Sequence, residues 1–325
     1  MAVSDLPLVS VLVPVLNEEA CITEAIERVR RQTHDRLEVI VADGGSTDRT
    51  RDLVEQAARS DPRLRLIDNP GRIQSAGLNR ALAASSGDAI VRLDGHSFIE
   101  PDYVERCVHL LARTGADVVG GRMVARPSSG ETAQAVAVAM QRRWAAGPAA
   151  FHGHGASGPA DTVYLGCFRR VRLIAVGGWS EDVGVNEDYE LNYRIRQAGG
   201  VVYFDDAMEV GYQPRATFAA VARQYFRYGR SKAMTLRKHP RSIRLRQLAP
   251  MMLLPLALTA LAPGPVGSVG RAVLVAHAIA LAILAMRERS LSLGQRGRLA
   301  AVAWLMHTSW SLGIWAGWLS GPMRR

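Results

Sequence analysis

The stretch VSVLVPVLNEE, residues 9–19, sets the reading of the rest of the chain. Its apolar run is rich in valine, spans about eight residues and stops at Asn17-Glu18-Glu19. No basic segment precedes it and no small-residue cleavage site follows, so it is not a secretory leader. It reads instead as a buried strand with polar residues at its carboxyl end. The G-x-G-x-x-G turn of a nucleotide-binding dehydrogenase is absent, because PVLNEE stands in its place.

Working outward, EVIVAD (38–43), LRLID (64–68) and AIVRLD (89–94) repeat the same pattern. Helical periodicity separates them over 19–32, 47–59 and 73–86. Strand and helix in alternation build a mostly parallel sheet with helices on both faces, an α/β fold. Ligands in such sheets bind beyond the carboxyl ends of the strands. The polar residues at those ends are Asn17-Glu18, Asp43 to Asp48, Asn69 to Arg72, and Asp94-Gly95-His96.

The 325 residues, 48% of them hydrophobic, suffice for one large domain with an appendage and exclude a disordered or fibrous chain. The net charge of +10 is carried by arginine, since Lys232 and Lys238 are the only lysines. The arginines form no single stripe with interleaved aromatics, which argues against nucleic acid as a partner. Their densest run, Arg215 to Arg246, precedes an apolar tail and suits an anionic membrane surface. Cys21, Cys107 and Cys167 form no C-x-x-C pair and read as buried thiols of a reducing compartment.

From Leu248 onward, residues 248–262, 266–286 and 299–319 are apolar. The last two are long enough to span a bilayer; the first is short and broken by Pro250 and Pro255, as in a tilted, re-entrant or interfacial segment. Three spans with a cytoplasmic N-terminal domain place Arg287, Arg289, Arg296 and Arg298 inside and Arg271, Arg324 and Arg325 outside. The expected division is a catalytic domain over 1–240 and a membrane region over 241–325 with two to three transmembrane helices; a soluble helical subdomain is the alternative. Residues 146–161, glycine-rich and aperiodic, read as a lid or binding loop in which His152 and His154 are loop residues and not metal ligands.

Four constellations are candidates for chemistry, each with a plainer explanation beside it. Asp94 and His96 share one side of an extended segment, as two ligands of a divalent ion would, or they form a capped turn with a solvated histidine. In Asp43-Gly44-Gly45-Ser46-Thr47-Asp48 a capped turn accounts for everything except Asp43. Glu187 and Asp188 open a helix, where acids are ordinarily favoured. Gln224 to Arg230 combines cations and aromatics suited to a diphosphate or a sugar face, or to an interfacial anchor.

Taken in order, VLVPVLNEE, VADGGSTDRT, RLDGH, the GGWSE and NEDYELNYR pair and QYFRYGRS resemble the family 2 glycosyltransferases of the GT-A fold, above all the succinoglycan-type exopolysaccharide transferases, over about residues 8–235. The resemblance implies that Pro14, Asn17, Glu18 and Asp43 line a nucleotide pocket, with Asp43 near the base and Arg72 beside it. It implies that Asp94 reaches a metal-bridged diphosphate, and that His96 stands where most relatives carry a second aspartate. Manganese or magnesium is the implied ion, with Asp94 and His96 as its ligands. Asp188 resembles the family's general base, with Glu187 as its alternate, and Trp179 is expected to face the acceptor. The later Gln-x-x-Arg-Trp motif is similar to Gln224-x-x-Arg227-Tyr228, which gives Gln224 and Tyr228 to the acceptor and Arg227 to phosphate.

What this implies for function is inverting, metal-dependent transfer of a sugar from a nucleotide diphosphate donor, UDP-hexose by family likeness, to a lipid-linked or growing glycan. The expected place is the cytoplasmic membrane, with the catalytic domain on the cytoplasmic side. A polyprenyl-phosphate sugar synthase is a second reading, because a lipid phosphate acceptor needs no deprotonation. A noncatalytic membrane scaffold or transport subunit is a third, supported by the tail alone. Processive synthases carry more spans than this tail provides, so addition of a single sugar is expected.

Overall fold

The computed structural model describes residues 7–126, 130–147, 149–153 and 155–320. The strands are β1 (Val9–Val15), β2 (Leu37–Asp43), β3 (Leu64–Asp68), β4 (Ala89–Arg92), β5 (Phe98–Ile99), β6 (Val118–Ala125), β7 (Gly158–Pro159), β8 (Tyr164–Arg169) and β9 (Val202–Tyr212). The helices are α1 (Ile22–Arg30), α2 (Thr50–Ser60), α3 (Gln74–Ala84), α4 (Tyr103–Thr114), α5 (Glu131–Met140), α6 (Arg143–Ala146), α7 (Arg170–Ala175), α8 (Glu187–Gln197), α9 (Phe218–Lys238), α10 (Leu248–Met251), α11 (Leu253–Thr259), α12 (Gly264–Met286) and α13 (Leu293–Leu319). Two compact units result: Met1–Val124 with His154–Tyr212, and Ala125–Gly153 with Gln213–Arg325.

The first unit holds one sheet in the order β3-β2-β1-β4-β8-β6-β9-β5, with β7 on β9. Its first four strands are parallel, in a register that pairs Val15 with Asp43 and Asp43 with Asp68, so their polar carboxyl ends share one edge. Beyond β4 the sheet turns antiparallel: β4 pairs with β8, β8 with β6, and β9 with both β5 and β7. The alternation legible in the first hundred residues carries no information about this second half, whose strands are added after a long excursion of the chain. Every residue of β1 is buried, as a strand covered on both faces requires. Its valines join those of β2 and β4 and residues of α1 and α4 in the core.

The second unit is helical. The expected boundary at residue 240 does not coincide with its edge, because α9 and the segment 125–153 group with the C-terminal helices. The joint between α9 and α13 explains why. A methyl group on Gly229 would lie 2.2 Å from the Trp310 carbonyl, and one on Gly313 would lie 2.1 Å from that of Phe226. Only glycine permits so close a backbone approach. Arg142 grips Glu288 through two hydrogen bonds of 2.6 Å, Arg298 bonds Glu131 at 2.8 Å, and His307 reaches the Ala145 carbonyl at 3.0 Å.

Among the described residues one helix, α12, is long and apolar enough to cross a membrane, with a mean hydropathy of 2.1 and 17% of its apolar window buried. The segment expected from 248 is broken into α10 and α11, consistent with Pro250 and Pro255. In α13, His307, Thr308, Ser309 and Ser311 dilute the apolar stretch, and Leu299, Val302, Ala303, Met306 and Ile314 are buried. Arg324, Arg325 and His154 lie outside the described residues, while His152 Nδ1 meets the Met140 carbonyl at 3.0 Å. Cys107 and Cys167 are buried as expected, and Cys21 is half-buried.

Candidate active site

The first unit gathers its polar residues where the parallel strands end. The loop after β1 is stitched to the loop after β2: Asn17 N–H donates to Ser46 Oγ at 2.9 Å, Thr47 N–H to Asn17 Oδ1 at 2.8 Å, and Glu18 N–H to Thr50 Oγ1 at 2.7 Å. Asn17 takes a left-handed φ of 57°, a conformation asparagine tolerates better than most residues. Asp43, 2% exposed, accepts the Ser46 hydroxyl at 2.6 Å and lies 3.6 Å from Arg51. Pro14 is buried in β1 beside Ala42 of β2. Arg72 is exposed, with a φ of 57° and no side-chain partner among the described residues.

Two residues past β4, Asp94 faces three donors at one oxygen. Gln74 Nε2 donates to its Oδ1 at 2.6 Å, and the Arg92 guanidinium adds contacts of 3.2 and 3.4 Å. Its other oxygen accepts no hydrogen bond among the described residues. His96 Nδ1 lies 3.1 Å from Glu18 Oε1. Between them Gly95 lets the turn settle on Glu18, since a methyl there would lie 3.2 Å from Glu18 Cγ.

Arg92 is the hub. It is 4% exposed, and besides Asp94 it holds Glu187 Oε1 at 2.8 Å and bonds directly to Asp188 Oδ1. Burial opposes its charge, but the three carboxylates outweigh burial and hold the guanidinium protonated. Three acids against one cation leave the cluster short of positive charge. Burial pushes the Glu187 carboxyl up to about 7 despite Arg92, and Asp188 adds to the rise. Asp188 is raised for the same first reason, with Arg92 pulling it down and Asp94 pushing it up.

The loop before α8 fixes that helix start. Asn186, in a left-handed conformation with φ 64°, turns the chain so that Glu187 and Asp188 fall in the first helical turn. From within α8, Arg194 reaches back to the Gly178 carbonyl at 2.7 Å and pairs with Glu190 at 2.8 Å. Gly178 takes a φ of +67° against Asn79, whose amide bonds both the N–H and the carbonyl of Trp179 at 2.8 Å. The Trp179 indole N–H then points at Asp188 Oδ1, 3.3 Å away. The separated sequence motifs GGWSE and NEDYELNYR are thus one structural piece.

The family model for Glycosyl transferase family 2 matches residues 10–154, and that for Glycosyl transferase family group 2 matches residues 89–317. The chain belongs to glycosyltransferase family 2. This family 2 enzyme is 37% identical over 321 residues to the Succinoglycan biosynthesis protein ExoA of Rhizobium meliloti (strain 1021), covering 94% of this chain and 93% of that protein. It is 36% identical to the Putative glycosyltransferase EpsH of Bacillus subtilis (strain 168) over 34% of this chain and 31% of that one. Its fold is similar to that of the mannosyltransferase PcManGT from Pyrobaculum calidifontis in complex with GDP-Man and Mn2+, with a TM-score of 0.65, 22% identity, and 97% and 89% of the two chains covered.

The family 2 enzyme therefore has the GT-A fold that its motifs implied, with Asp94, Glu187 and Asp188 converging on Arg92. Trp179 differs from expectation: at 1% exposure its ring has no face to offer a sugar, and it packs edge-on against Phe168 and contacts Asp188. Gln224, Arg227 and Tyr228 lie on α9 in the second unit, where Gln224 Nε2 donates to Tyr228 Oη at 2.7 Å and Arg227 is exposed. Arg92 and Gln74 were not singled out from the sequence. A signal was present for Arg92, a lone cation inside the apolar run AIVRLD.

No cluster of three or more metal-ligating side chains occurs among the described residues. Asp94 and His96 alone make an incomplete donor set. Two donors are too few to cage an ion, so an ion there would take the rest of its shell from ligand oxygens and water.

Proposed function

We propose that this glycosyltransferase moves a hexosyl unit, with inversion, from a nucleoside diphosphate sugar to a hydroxyl of a lipid-linked saccharide during exopolysaccharide assembly. UDP-hexose is the expected donor and the cytoplasmic face of the membrane the expected place. The observation that carries the reading is the pairing of Asp188 with Arg92 at the start of α8, which sets a carboxylate of raised basicity close to Asp94 at the strand ends. Near-complete coverage of a succinoglycan biosynthesis protein supports the pathway class, and the apolar α12 supports membrane attachment.

In this reading the loops after β1 and β2 hold the nucleotide, with Pro14, Asn17, Glu18 and Asp43 forming its floor and Arg72 at the rim. Asp188 accepts the proton of the acceptor hydroxyl as that oxygen bonds to the anomeric carbon. The bond from that carbon to the diphosphate oxygen breaks on the opposite face, and its electron pair leaves with the diphosphate. One in-line displacement inverts the centre, so no carboxylate nucleophile beneath the sugar is required. Glu187, whose carboxyl burial pushes up to about 7, competes less for Arg92 than a fully ionised acid would, and the guanidinium holds Asp188 and Asp94 in place. A manganese or magnesium ion held by Asp94 and His96 would supply positive charge to the departing diphosphate.

The test is transfer by the full chain, purified in detergent, from radiolabelled UDP- and GDP-hexoses to a lipid-linked acceptor extract with manganese. Transfer with an inverted anomeric centre, abolished by Asp188→Asn and by Asp94→Asn and lost on chelation, is expected. Retained configuration, or full activity in Asp188→Asn, would overturn the mechanism.

A further inference from the structure

The turn that follows β4 and the loop that follows β1 meet through one side-chain pair. His96 Nδ1 lies 3.1 Å from Glu18 Oε1, and both side chains are half-buried. An ionised carboxylate only accepts hydrogen bonds, so in this contact the imidazole carries a proton on Nδ1. A neutral ring held in that way keeps its lone pair on Nε2, the form in which imidazole ligates a metal ion. Asp94, two residues before, has one oxygen that accepts no hydrogen bond among the described residues, since its three donors all meet the other. An oxygen and an imidazole nitrogen fit a first-row divalent ion such as manganese.

Both halves of the pair are fixed by their own backbones. The Glu18 N–H donates to Thr50 Oγ1 at 2.7 Å, and its carbonyl accepts from the N–H groups of Cys21 and Ile22 at 2.9 and 2.8 Å. On the other side Ser97 closes the turn twice, its hydroxyl accepting the Asp94 N–H at 3.1 Å and its own N–H donating to the Asp94 carbonyl at 3.0 Å. Gly95 sits against the partner loop, where a methyl would crowd Glu18 Cγ and Val15 Cγ1 at 3.2 Å each. An incidental ion pair between two long, solvated side chains has no such support.

A carboxylate behind a ligating imidazole fixes the ring's tautomer and orientation and raises its basicity as a ligand. We propose that Glu18 is a positioning residue for the divalent ion of the donor diphosphate: its carboxylate holds His96 in the Nδ1–H tautomer and so makes Nε2 the ligand that joins Asp94. Glu18 keeps its backbone place in the loop under the nucleotide, while its side chain is assigned to His96. The proposal rests on the metal-dependent reading of the site, and ion binding is measurable without sugar transfer.

The test uses the full chain in detergent, without a histidine tag, mixed with Mn2+ and inorganic pyrophosphate, which supplies phosphate oxygens and contains no nitrogen. Pulsed electron paramagnetic resonance is expected to show a nitrogen hyperfine coupling to the ion, lost in His96→Gln. Affinity for Mn2+, read from the signal of the free ion, should fall about tenfold to a hundredfold in Glu18→Ala. It should fall much less in Glu18→Gln, whose amide oxygen still accepts the Nδ1–H. Absence of the coupling in the parent protein overturns the proposal, as does a coupling that survives in His96→Gln, which marks another histidine. Unchanged affinity in Glu18→Ala also overturns it, and so do equal losses in the alanine and glutamine variants, which mark a charge near the ion and not an oriented ring. Sugar transfer by the same protein separates the two readings: coupling without transfer sinks the glycosyl-transfer reading alone, and manganese-dependent transfer without coupling sinks this one alone.

Discussion

Arg92 and Asp188, 96 residues apart in the chain, share a half-buried charge-assisted hydrogen bond that ties the end of β4 to the start of α8. The same guanidinium contacts Asp94 and Glu187, so a single cation holds together two motifs distant in sequence. Its consequences can be measured.

Removing the cation should cost more than any single contact suggests. In Arg92→Gln three carboxylates remain around a neutral side chain, and breaking a buried ion pair from one side costs about 3–5 kcal/mol. Thermal unfolding of the detergent-solubilised chain is expected to shift down accordingly. A shift no larger than that of an exposed Arg72→Gln control would show that Arg92 is not the hub.

Glu187 makes stability depend on pH in a direction opposite to most acids. Its carboxyl is raised from 4.5 to about 7 by burial, so between those values the folded chain binds more protons than the unfolded chain. Stability therefore falls as pH rises through that window. Glu187→Gln should flatten this slope and gain on the order of 1 kcal/mol over the parent protein at pH 8. Unfolding midpoints of the two proteins between pH 5 and pH 8 would check it; parallel curves would exclude a buried, raised Glu187.

In the proposed mechanism Trp179 acts on the reaction through Asp188, which its indole N–H contacts at 3.3 Å. A general base must be deprotonated, so kcat/KM should rise with pH along an acid limb displaced above the ordinary aspartate range by burial. Trp179→Phe removes the indole donor that favours the carboxylate, leaving most of the ring volume. The acid limb is expected to move to higher pH, with a loss of roughly threefold to tenfold below it and recovery above it. A uniform loss at every pH would point to a packing defect instead.

The helix joint predicts a contrast within α13 itself. Gly313→Ala places a methyl 2.1 Å from the Phe226 carbonyl, whereas nothing lies within 4 Å of a methyl at Gly297. Overpacking of this kind costs about 1–3 kcal/mol or more. Gly297→Ala should gain up to about 1 kcal/mol from helix propensity. Equal effects at the two positions, read from thermal unfolding, would mean that α9 and α13 do not meet through glycine.

By itself the sequence determined the first four strands and the helices between them, because runs of valine and isoleucine ended by polar turns have one economical fate, burial in a parallel sheet. It also marked Asp94 and the Glu187-Asp188 pair, since carboxylates at element ends stand out against apolar neighbours. Only the tertiary structure decided that Arg92 joins them: an arginine in a strand is legible, and Asp94 is two residues away, but its other two partners, Glu187 and Asp188, lie on an element almost a hundred residues later. It likewise turned Trp179 inward, because exposure belongs to whatever packs over a ring, here Phe168, and not to the ring. The same holds for α9, which reads as the close of the catalytic domain yet groups with the C-terminal helices. Its Gly229 and the Gly313 of α13 are ordinary residues until two backbones approach each other through them.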